Sequence, residues 1–163
     1  MAFIETDRLI LRTWMPSDAP ALLEVSSDPE VTRFLPMSSP PTLESMSAWI
    51  DRQMDEQERE GFSVWPVIRK DDGRLIARCG LHRLPEGYVE IAWIFERAAW
   101  GKGYATEAAR AAIAYARDSV HLPSLYALIH PANSASIAVA YRLGMRFDRV
   151  VRAYKRDLLR YVL

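Results

Sequence analysis

The sequence predicts a mixed α/β fold with a mostly antiparallel central sheet of six to seven strands, flanked by about four helices. Three β-rich runs in the middle of the chain are separated only by short turn sequences, as expected for antiparallel neighbours. Strand and helix patterns alternate after them, which predicts a parallel strand pair joined by a crossover helix. The 163 residues, half of them hydrophobic, are expected to form one domain over 1–163.

The N-terminal part is expected to contribute one strand and three helices. Residues 4–12 carry the apolar side chains of the strand. Short helices are predicted to begin near Pro16 and Pro29, the second ending near Phe34. Helical spacing of apolar residues over 42–60 predicts a longer amphipathic helix.

The three central strands are predicted at 62–69, 75–84 and 88–95, with turns at 71–73 and 85–87. Proline has no N–H to donate to a sheet, so Pro66 predicts an edge position or a bulge for the first of these strands.

The later elements are predicted as helices over 104–118 and 133–143 and strands over 125–129, 147–154 and 158–163. Asn133 is a typical cap for the second helix, and Gly144 is a typical end. The alanine-rich helix 104–118 would connect 88–95 to 125–129 as a parallel, right-handed crossover unit.

Composition excludes several classes of function. Lys and Arg balance Asp and Glu at 21 each, without the basic excess of a nucleic-acid-binding protein. The single Cys79 excludes a disulfide framework and a cysteine-rich metal site. No apolar run is long enough to span a membrane, and the charged N-terminus does not resemble a signal peptide. We therefore expect a soluble, cytoplasmic protein without a metal, nucleic-acid or membrane partner.

The stretch from Trp100 to Ala108 is the most informative motif. It follows a predicted strand, contains Gly101 and Gly103, and opens a predicted helix. Glycines let the backbone approach an anion closely, and a helix N-terminus offers unpaired N–H groups and partial positive charge. The segment lacks the spacing of a P-loop, and Thr106 stands where a dinucleotide fingerprint needs a small residue. An ordinary strand-to-helix turn remains the alternative to a diphosphate site.

Several segments, in this order, resemble the GNAT superfamily of acyl-coenzyme A N-acyltransferases, and more narrowly its Rim-type branch, the relatives of bacterial ribosomal-protein N-terminal acetyltransferases. The matching segments are Thr6 to Arg12, Ser27 to Val31, Gly80-Leu81, Glu90 to Trp93, Trp100 to Ala108, Asn133 to Ser136 and Leu143 to Phe147. The first position of the family's loop, usually Gln or Arg, is Ala98 here, with Arg97 beside it.

The resemblance implies a parallel strand pair that splays apart where the cofactor binds, and acetyl-coenzyme A as co-substrate. The cofactor-binding residues it implies are Trp93, Ile94, Phe95, Trp100, Gly101, Lys102, Gly103, Tyr104, Ala105, Thr106, Asn133 and Ser136. It assigns Asn133 to the pantetheine arm and Ser136 to the thiol. The alternative for both residues is helix capping.

Glu90 is the candidate catalytic base. It alternates with apolar residues on its strand, so burial would raise the pKa of its carboxyl, or it would act through water. The resemblance also places a frequently used Glu near this position. The alternative is a structural ion pair with Arg78 or another cation. His82, on the next strand, could share the cleft, although a lone strand histidine is more often structural.

Two further side chains are relevant to the acyl transfer, one as a donor to the thiol and one as a nucleophile. Many family members carry a tyrosine at the position of Ala140, but here the tyrosine is Tyr141, about 100° further round the helix, where core packing is expected. Cys79 is expected to pack in the interior, so direct transfer without a covalent enzyme intermediate is predicted.

The sequence therefore predicts an N-acetyltransferase that acts on a protein or peptide N-terminus or on a small amine. A non-catalytic acyl-coenzyme A-binding or sensing module on the same fold is the alternative. Helix 43–60 and loop 33–41 are expected to form the acceptor wall, with Phe34, Leu35 and Trp49. Glu107 and Arg110 are expected on a solvated face or as helix-end charges, and the protein is expected to be a monomer or a homodimer.

Overall fold

A computed structural model describes residues 3–163, which form one eight-stranded sheet with five α-helices. The strands are β1 Phe3–Glu5, β2 Leu9–Arg12, β3 Val64–Arg69, β4 Leu75–Arg83, β5 Val89–Phe95, β6 Tyr126–Ile129, β7 Arg146–Ala153 and β8 Arg156–Val162. The helices are α1 Ala19–Ser26, α2 Pro29–Thr32, α3 Leu43–Glu60, α4 Tyr104–Asp118 and α5 Ser134–Arg142. The spatial order of the strands is β1-β2-β3-β4-β5-β6-β8-β7.

The mixed, mostly antiparallel sheet is confirmed, with small differences in the number of elements. The predicted strand over 4–12 is divided into β1 and β2, which pair antiparallel. Thr6 closes the turn between them, since its N–H donates to the Leu9 carbonyl at 2.9 Å and its hydroxyl accepts from the Leu9 N–H at 3.0 Å. The sheet therefore has eight strands instead of six to seven. The helices predicted from Pro16, from Pro29 and over 42–60, 104–118 and 133–143 all form, which makes five instead of about four, and the one from Pro29 is a single turn that ends at Thr32.

Pro66 does not mark an edge strand, so that alternative is wrong. β3 lies inside the sheet, between β2 and β4. Pairing with β2 runs from Arg69 to Val67 and stops one residue before Pro66. The pairing with β4 shifts register between Val67 and Ile68, so the predicted irregularity lies beside the proline.

The parallel strand pair and its connecting helix are confirmed, and the sheet opens between the two strands. Among residues 3–163, parallel pairing between β5 and β6 is limited to Glu90 opposite Tyr126. The two strands therefore separate toward their carboxyl ends, as the splayed pair requires. Helix α4 connects them and packs on the sheet through buried alanines at 108, 109, 112 and 116, whose small side chains allow a close approach.

The sheet has a hydrophobic core on each face. The larger core joins α4 to Leu81, Ile91 and other strand residues. On the other face, a second cluster joins α1 to α3 and includes Leu22 and Ile50. Helix α3 begins with a reciprocal Thr42–Ser45 capping box and ends at Gly61, where φ is +79°. Within residues 3–163, no helix has both the length and the apolar character needed to cross a bilayer.

Candidate active site

The space between β5 and β6 continues into a cleft of about 1640 Å³. Its walls come from β5, the loop before α4, the start of α5, the residues 33–37 and the inner side of α3. The glycine-rich loop therefore lies at one part of the cleft and the predicted acceptor wall at another. Glu90 lines the same space.

The loop before α4 presents an open helix N-terminus. Gly101 and Gly103 have φ values of +72° and +78°, a backbone conformation that glycine adopts without strain. The first backbone hydrogen bond into α4 runs from the Glu107 N–H to the Gly103 carbonyl at 3.1 Å, so the preceding N–H groups lack intrahelical partners. A Cβ added at Gly101 would meet nothing within 4 Å. The loop can thus accept an anion through main-chain groups.

Most of the predicted cofactor residues line this cleft. They are Trp93, Ile94, Phe95, Trp100, Gly101, Gly103, Tyr104, Ala105, Thr106, Asn133 and Ser136. Lys102 is exposed and is not part of the lining. Its carbonyl accepts a hydrogen bond from Arg8 at 2.8 Å. Trp100 donates through Nε1 to the Phe95 carbonyl at 2.9 Å, which ties the loop to the end of β5.

The N-terminal segment holds the start of α4, a feature that sequence reasoning missed. The Glu107 carboxylate accepts hydrogen bonds from the Thr6 hydroxyl at 2.7 Å and from the Arg8 N–H at 2.9 Å and Nε at 2.7 Å. These bonds lower the pKa of Glu107 against the opposing effect of its burial. The Arg8 guanidinium also lies 4.3 Å from the Tyr104 ring centroid. Glu107 is therefore a helix-end charge with fixed partners, and the solvated-face alternative is wrong for it.

Glu90 is 9% exposed and shares its face of the sheet with His82, its register partner on β4. Tyr154 donates its phenolic proton to Glu90 Oε2 at 2.9 Å. Burial raises the pKa of Glu90 to about 7, although the Tyr154 hydrogen bond and nearby His82 act in the opposite direction. Within residues 3–163, Glu90 forms no salt bridge with Arg78 or with another cation, and its side-chain partner is Tyr154, so the alternative of a structural ion pair is not observed.

His82 contacts a different carboxylate. Its Nδ1 lies 2.9 Å and 3.1 Å from the two oxygens of Glu56, which is buried on α3. Hydrogen bonding to Glu56 raises the pKa of His82, against the lowering effect of burial. Glu56 also accepts from the Arg83 N–H at 3.0 Å. His82 thus joins α3 to β4 and lies beside Glu90, where its protonated form lowers the pKa of that carboxyl.

Tyr154 is a residue of the site that sequence reasoning missed. Tyr154 and Lys155 form the two-residue turn between β7 and β8, with φ values of +51° and +61°. Such a turn usually contains Gly, Asn or Asp, so Tyr154 and Lys155 carry no turn signal. Burial and the charge of Glu90 raise the pKa of Tyr154, so the phenol stays protonated and can donate.

At the start of α5, Asn133 is the helix cap, and its side-chain oxygen accepts from the Ser136 N–H at 3.2 Å. Asn133 and Ser136 both line the cleft. Tyr141 does not line it and is 59% exposed, with its ring edge-on to Tyr161 at 5.6 Å. Core packing was therefore wrong for Tyr141, which lies on the outer side of α5.

The residues predicted to form the acceptor wall lie in the cleft. Phe34, Leu35 and Trp49 line the cleft. The loop is held by Arg156 of β8, whose guanidinium donates to the carbonyls of Phe34 at 3.1 Å and Leu35 at 3.4 Å. The Phe34 ring also lies 5.0 Å from the ring of His130.

Cys79 does not have the environment of a nucleophile. It is completely buried on β4, and this burial raises the pKa of its thiol, which disfavours the thiolate. Within residues 3–163, no group of three or more His, Cys, Asp or Glu side chains is placed to hold a metal ion.

Known proteins resemble this chain in sequence and in fold. Residues 8–146 match the family model described as "Acetyltransferase (GNAT) domain". The uncharacterized N-acetyltransferase p20 of Bacillus licheniformis is 30% identical over 159 residues, which cover 96% of this chain and 89% of that protein. The solved acetyltransferase of Agrobacterium tumefaciens has 26% identity and a TM-score of 0.87, covering 100% of this chain and 94% of that one.

A further solved structure is RimL, described as ribosomal L7/L12 alpha-N-protein acetyltransferase in complex with coenzyme A. It has 16% identity and a TM-score of 0.81, covering 99% of this chain and 97% of that one. At this identity the likeness concerns the fold alone. The family match, which spans most of the chain and its cleft, identifies the protein as a member of the GNAT family of N-acetyltransferases.

Proposed function

We propose that this enzyme transfers the acetyl group of acetyl-coenzyme A directly to a primary amine, of either a protein N-terminus or a small molecule. One observation carries the proposal. A buried carboxyl with a pKa of about 7, Glu90, lines the same cleft as an open, glycine-containing helix N-terminus. The cleft thus combines a group able to take a proton near neutral pH with a site for a diphosphate.

The loop residues fit coenzyme A. The main-chain N–H groups around Gly101 and Gly103 would hold the diphosphate, since no Cβ blocks their approach. Asn133 and Ser136 line the continuation of the cleft at the start of α5, where the pantetheine arm and thiol would lie. When bound, acetyl-coenzyme A supplies an acyl carbon activated as a thioester.

Glu90 would accept the proton that the amine loses as the new C–N bond forms. Direct contact and transfer through one water are both compatible with a carboxyl at the cleft surface. With its pKa near 7, Glu90 is partly ionised at neutral pH and matches the pH at which it would work. Tyr154 would hold the carboxylate in one orientation and favour its charged form through its hydrogen bond.

The Ser136 hydroxyl would donate a proton or hydrogen bond to the sulfur as the C–S bond breaks. It lines the cleft at the first turn of α5, whereas Tyr141 does not line the cleft. No enzyme side chain is acylated in this scheme, and buried Cys79 takes no part in it.

The experiment has two stages. A thermal melt with saturating acetyl-coenzyme A should show stabilisation, about 2.7 kcal/mol at 100 times the dissociation constant. Release of free thiol is then measured with a panel of peptides and small amines. Stabilisation without thiol release on any amine would instead support a non-catalytic acyl-coenzyme A sensor. An unchanged melt would refute cofactor binding.

A further inference from the structure

An unpaired arginine lies in the acceptor part of the cleft. Arg78 of β4 lines the cleft, and its guanidinium carbon lies 4.6 Å from the centroid of the Trp49 ring on α3. Its Nε is shut off from solvent and has no hydrogen-bond partner. Within residues 3–163, no carboxylate forms an ion pair with it.

Arg8 and Arg156, two other cations of the cleft, have hydrogen-bond partners within the protein, whereas Arg78 has none among residues 3–163. Arg8 is bound to Glu107, and Arg156 donates to the carbonyls of Phe34 and Leu35. Burial lowers the pKa of Arg78 to about 10, so it still carries its charge at neutral pH. By exposed area the side chain is only partly buried, but its Nε is shut off from solvent, and a desolvated charge without a partner is unfavourable for folding. An external anion would supply the missing partner.

Register places Arg78 on the same side of the sheet as Glu90. On β4 and β5, Arg78 is opposite Ile94 and His82 is opposite Glu90. The two pairs are four residues apart, which corresponds to about 13 Å along the strands. Because side chains alternate between the two faces of a sheet, residues an even number of positions apart lie on the same face. One acceptor molecule can therefore extend from one group to the other along the cleft floor.

We infer that the acceptor of this enzyme is an amine that also carries a carboxylate, which Arg78 binds while the amine lies at Glu90. The inference rests on the proposed function. Trp49 covers one face of the guanidinium, and the edge of this planar fork suits a carboxylate in a bidentate arrangement. The carboxylate could belong to a free amino acid-like molecule or to an acidic residue of a peptide, and the two sources share this chemistry.

Matched acceptors test the inference and separate the two sources. The small-molecule pair is 5-aminopentanoate and pentylamine. The peptide pair is Ser-Glu-Ala-amide and Ser-Gln-Ala-amide, which differ in one carboxylate. We expect kcat/KM to favour the carboxylate member of at least one pair by about 10- to 100-fold, as for a charge-assisted hydrogen bond. The pair that shows the preference identifies the source.

The variant Arg78→Met should abolish this preference and raise the melting temperature, because it removes an unpaired, partly buried charge whose Nε is shut off from solvent and keeps an apolar contact with Trp49. A purely structural arginine would give a lower melting temperature and an unchanged preference. Arg78→Lys keeps the charge without the planar fork and should retain part of the preference. Arg59→Met is the control, since Arg59 is an exposed residue of the same helix as Trp49 and should keep the full preference.

A binding measurement separates the two proposals. Calorimetric titration of 5-acetamidopentanoate and of N-acetyl-Ser-Glu-Ala-amide, with coenzyme A present, requires no turnover. At least one should bind wild type about 10- to 100-fold more tightly than Arg78→Met. Absence of thiol release with every amine would refute the proposed function, whereas equal affinity of both proteins for both ligands would refute the role of Arg78. Weaker binding of coenzyme A itself to Arg78→Met would also overturn it.

Discussion

Replacing Glu90 with Gln tests the electrostatics of the cleft without a substrate. Gln has nearly the same shape and can still accept the Tyr154 hydrogen bond, but it does not ionise. Burial raises the pKa of Glu90 from 4.5 to about 7. At about 1.4 kcal/mol per pKa unit, the protonated form is favoured in the folded protein by about 3 kcal/mol.

The direction of the pH effect on stability follows from the linkage between folding and proton binding. A carboxyl with a raised folded-state pKa binds its proton more tightly in the folded protein than in the unfolded one. Its contribution to stability is therefore complete below pH 4.5 and is lost as the pH rises through about 7. Wild type should lose this contribution at alkaline pH, and Glu90→Gln should not.

Urea unfolding of wild type and Glu90→Gln at pH 5 and pH 9 measures the effect. The difference in unfolding free energy should shift by about 2 to 3 kcal/mol in favour of Glu90→Gln at the higher pH. Comparing the two proteins at each pH cancels the contributions of the other titratable groups, because those groups are present in both. Glu58→Gln, the same substitution at an exposed position of α3, is the control for the change of residue type. A pH-independent difference for Glu90→Gln would show that its carboxyl is not shifted as the geometry requires.

The same variant has a kinetic consequence once an acceptor is known. If Glu90 is the base, kcat/KM should fall by about 10²- to 10⁴-fold, the usual contribution of general base catalysis. The acidic limb of the wild-type pH profile, expected near pH 7, should disappear. Full activity with an unchanged profile would assign the carboxyl a structural role and make His82 the leading candidate for the base.

Three further results are expected. Gly101→Val should abolish the thermal shift with acetyl-coenzyme A, whereas Gly73→Val, at a similar φ of +69° in the β3–β4 turn, should introduce similar strain and keep the shift. Tyr154→Phe should move the acidic limb of the pH profile to higher pH, because it removes a hydrogen bond that stabilises the charged form of Glu90. An unmoved limb would contradict this. Ser136→Ala should lower kcat with little change in coenzyme A affinity, and Tyr141→Phe should be nearly silent; the opposite result would exchange their roles.

Features of the site that depend on local sequence could be predicted. The glycine loop is contiguous, and the capping of α5 by Asn133 involves residues three apart. The alternation of Glu90 with apolar residues was sufficient to predict burial of its carboxyl, because side chains of a strand alternate between faces. These inferences needed only the type of secondary structure and the periodicity of its side chains.

Contacts between distant parts of the chain could not be predicted in this way. Arg8 and Glu107 are 99 residues apart, and only the folded sheet brings them together at the loop. Pro66 gave a misleading signal, because the general avoidance of proline in sheets does not show where pairing with one neighbour stops. Tyr141 was misplaced because the buried side of α5 is formed by Val139 and Ala140, whereas Tyr141 is exposed; which side of a helix packs on the sheet depends on tertiary contacts.

The β7–β8 turn connects two functional parts that are far apart in sequence. Tyr154 contacts Glu90 across 64 residues, and Arg156 holds the Phe34 carbonyl across 122 residues. The same hairpin therefore positions the candidate base and one wall of the proposed acceptor cleft. Because Tyr154 and Lys155 both have positive φ without being glycine, this turn depends on the surrounding structure to hold its conformation. A change in the turn should consequently alter the pKa of Glu90 and the shape of the acceptor cleft together.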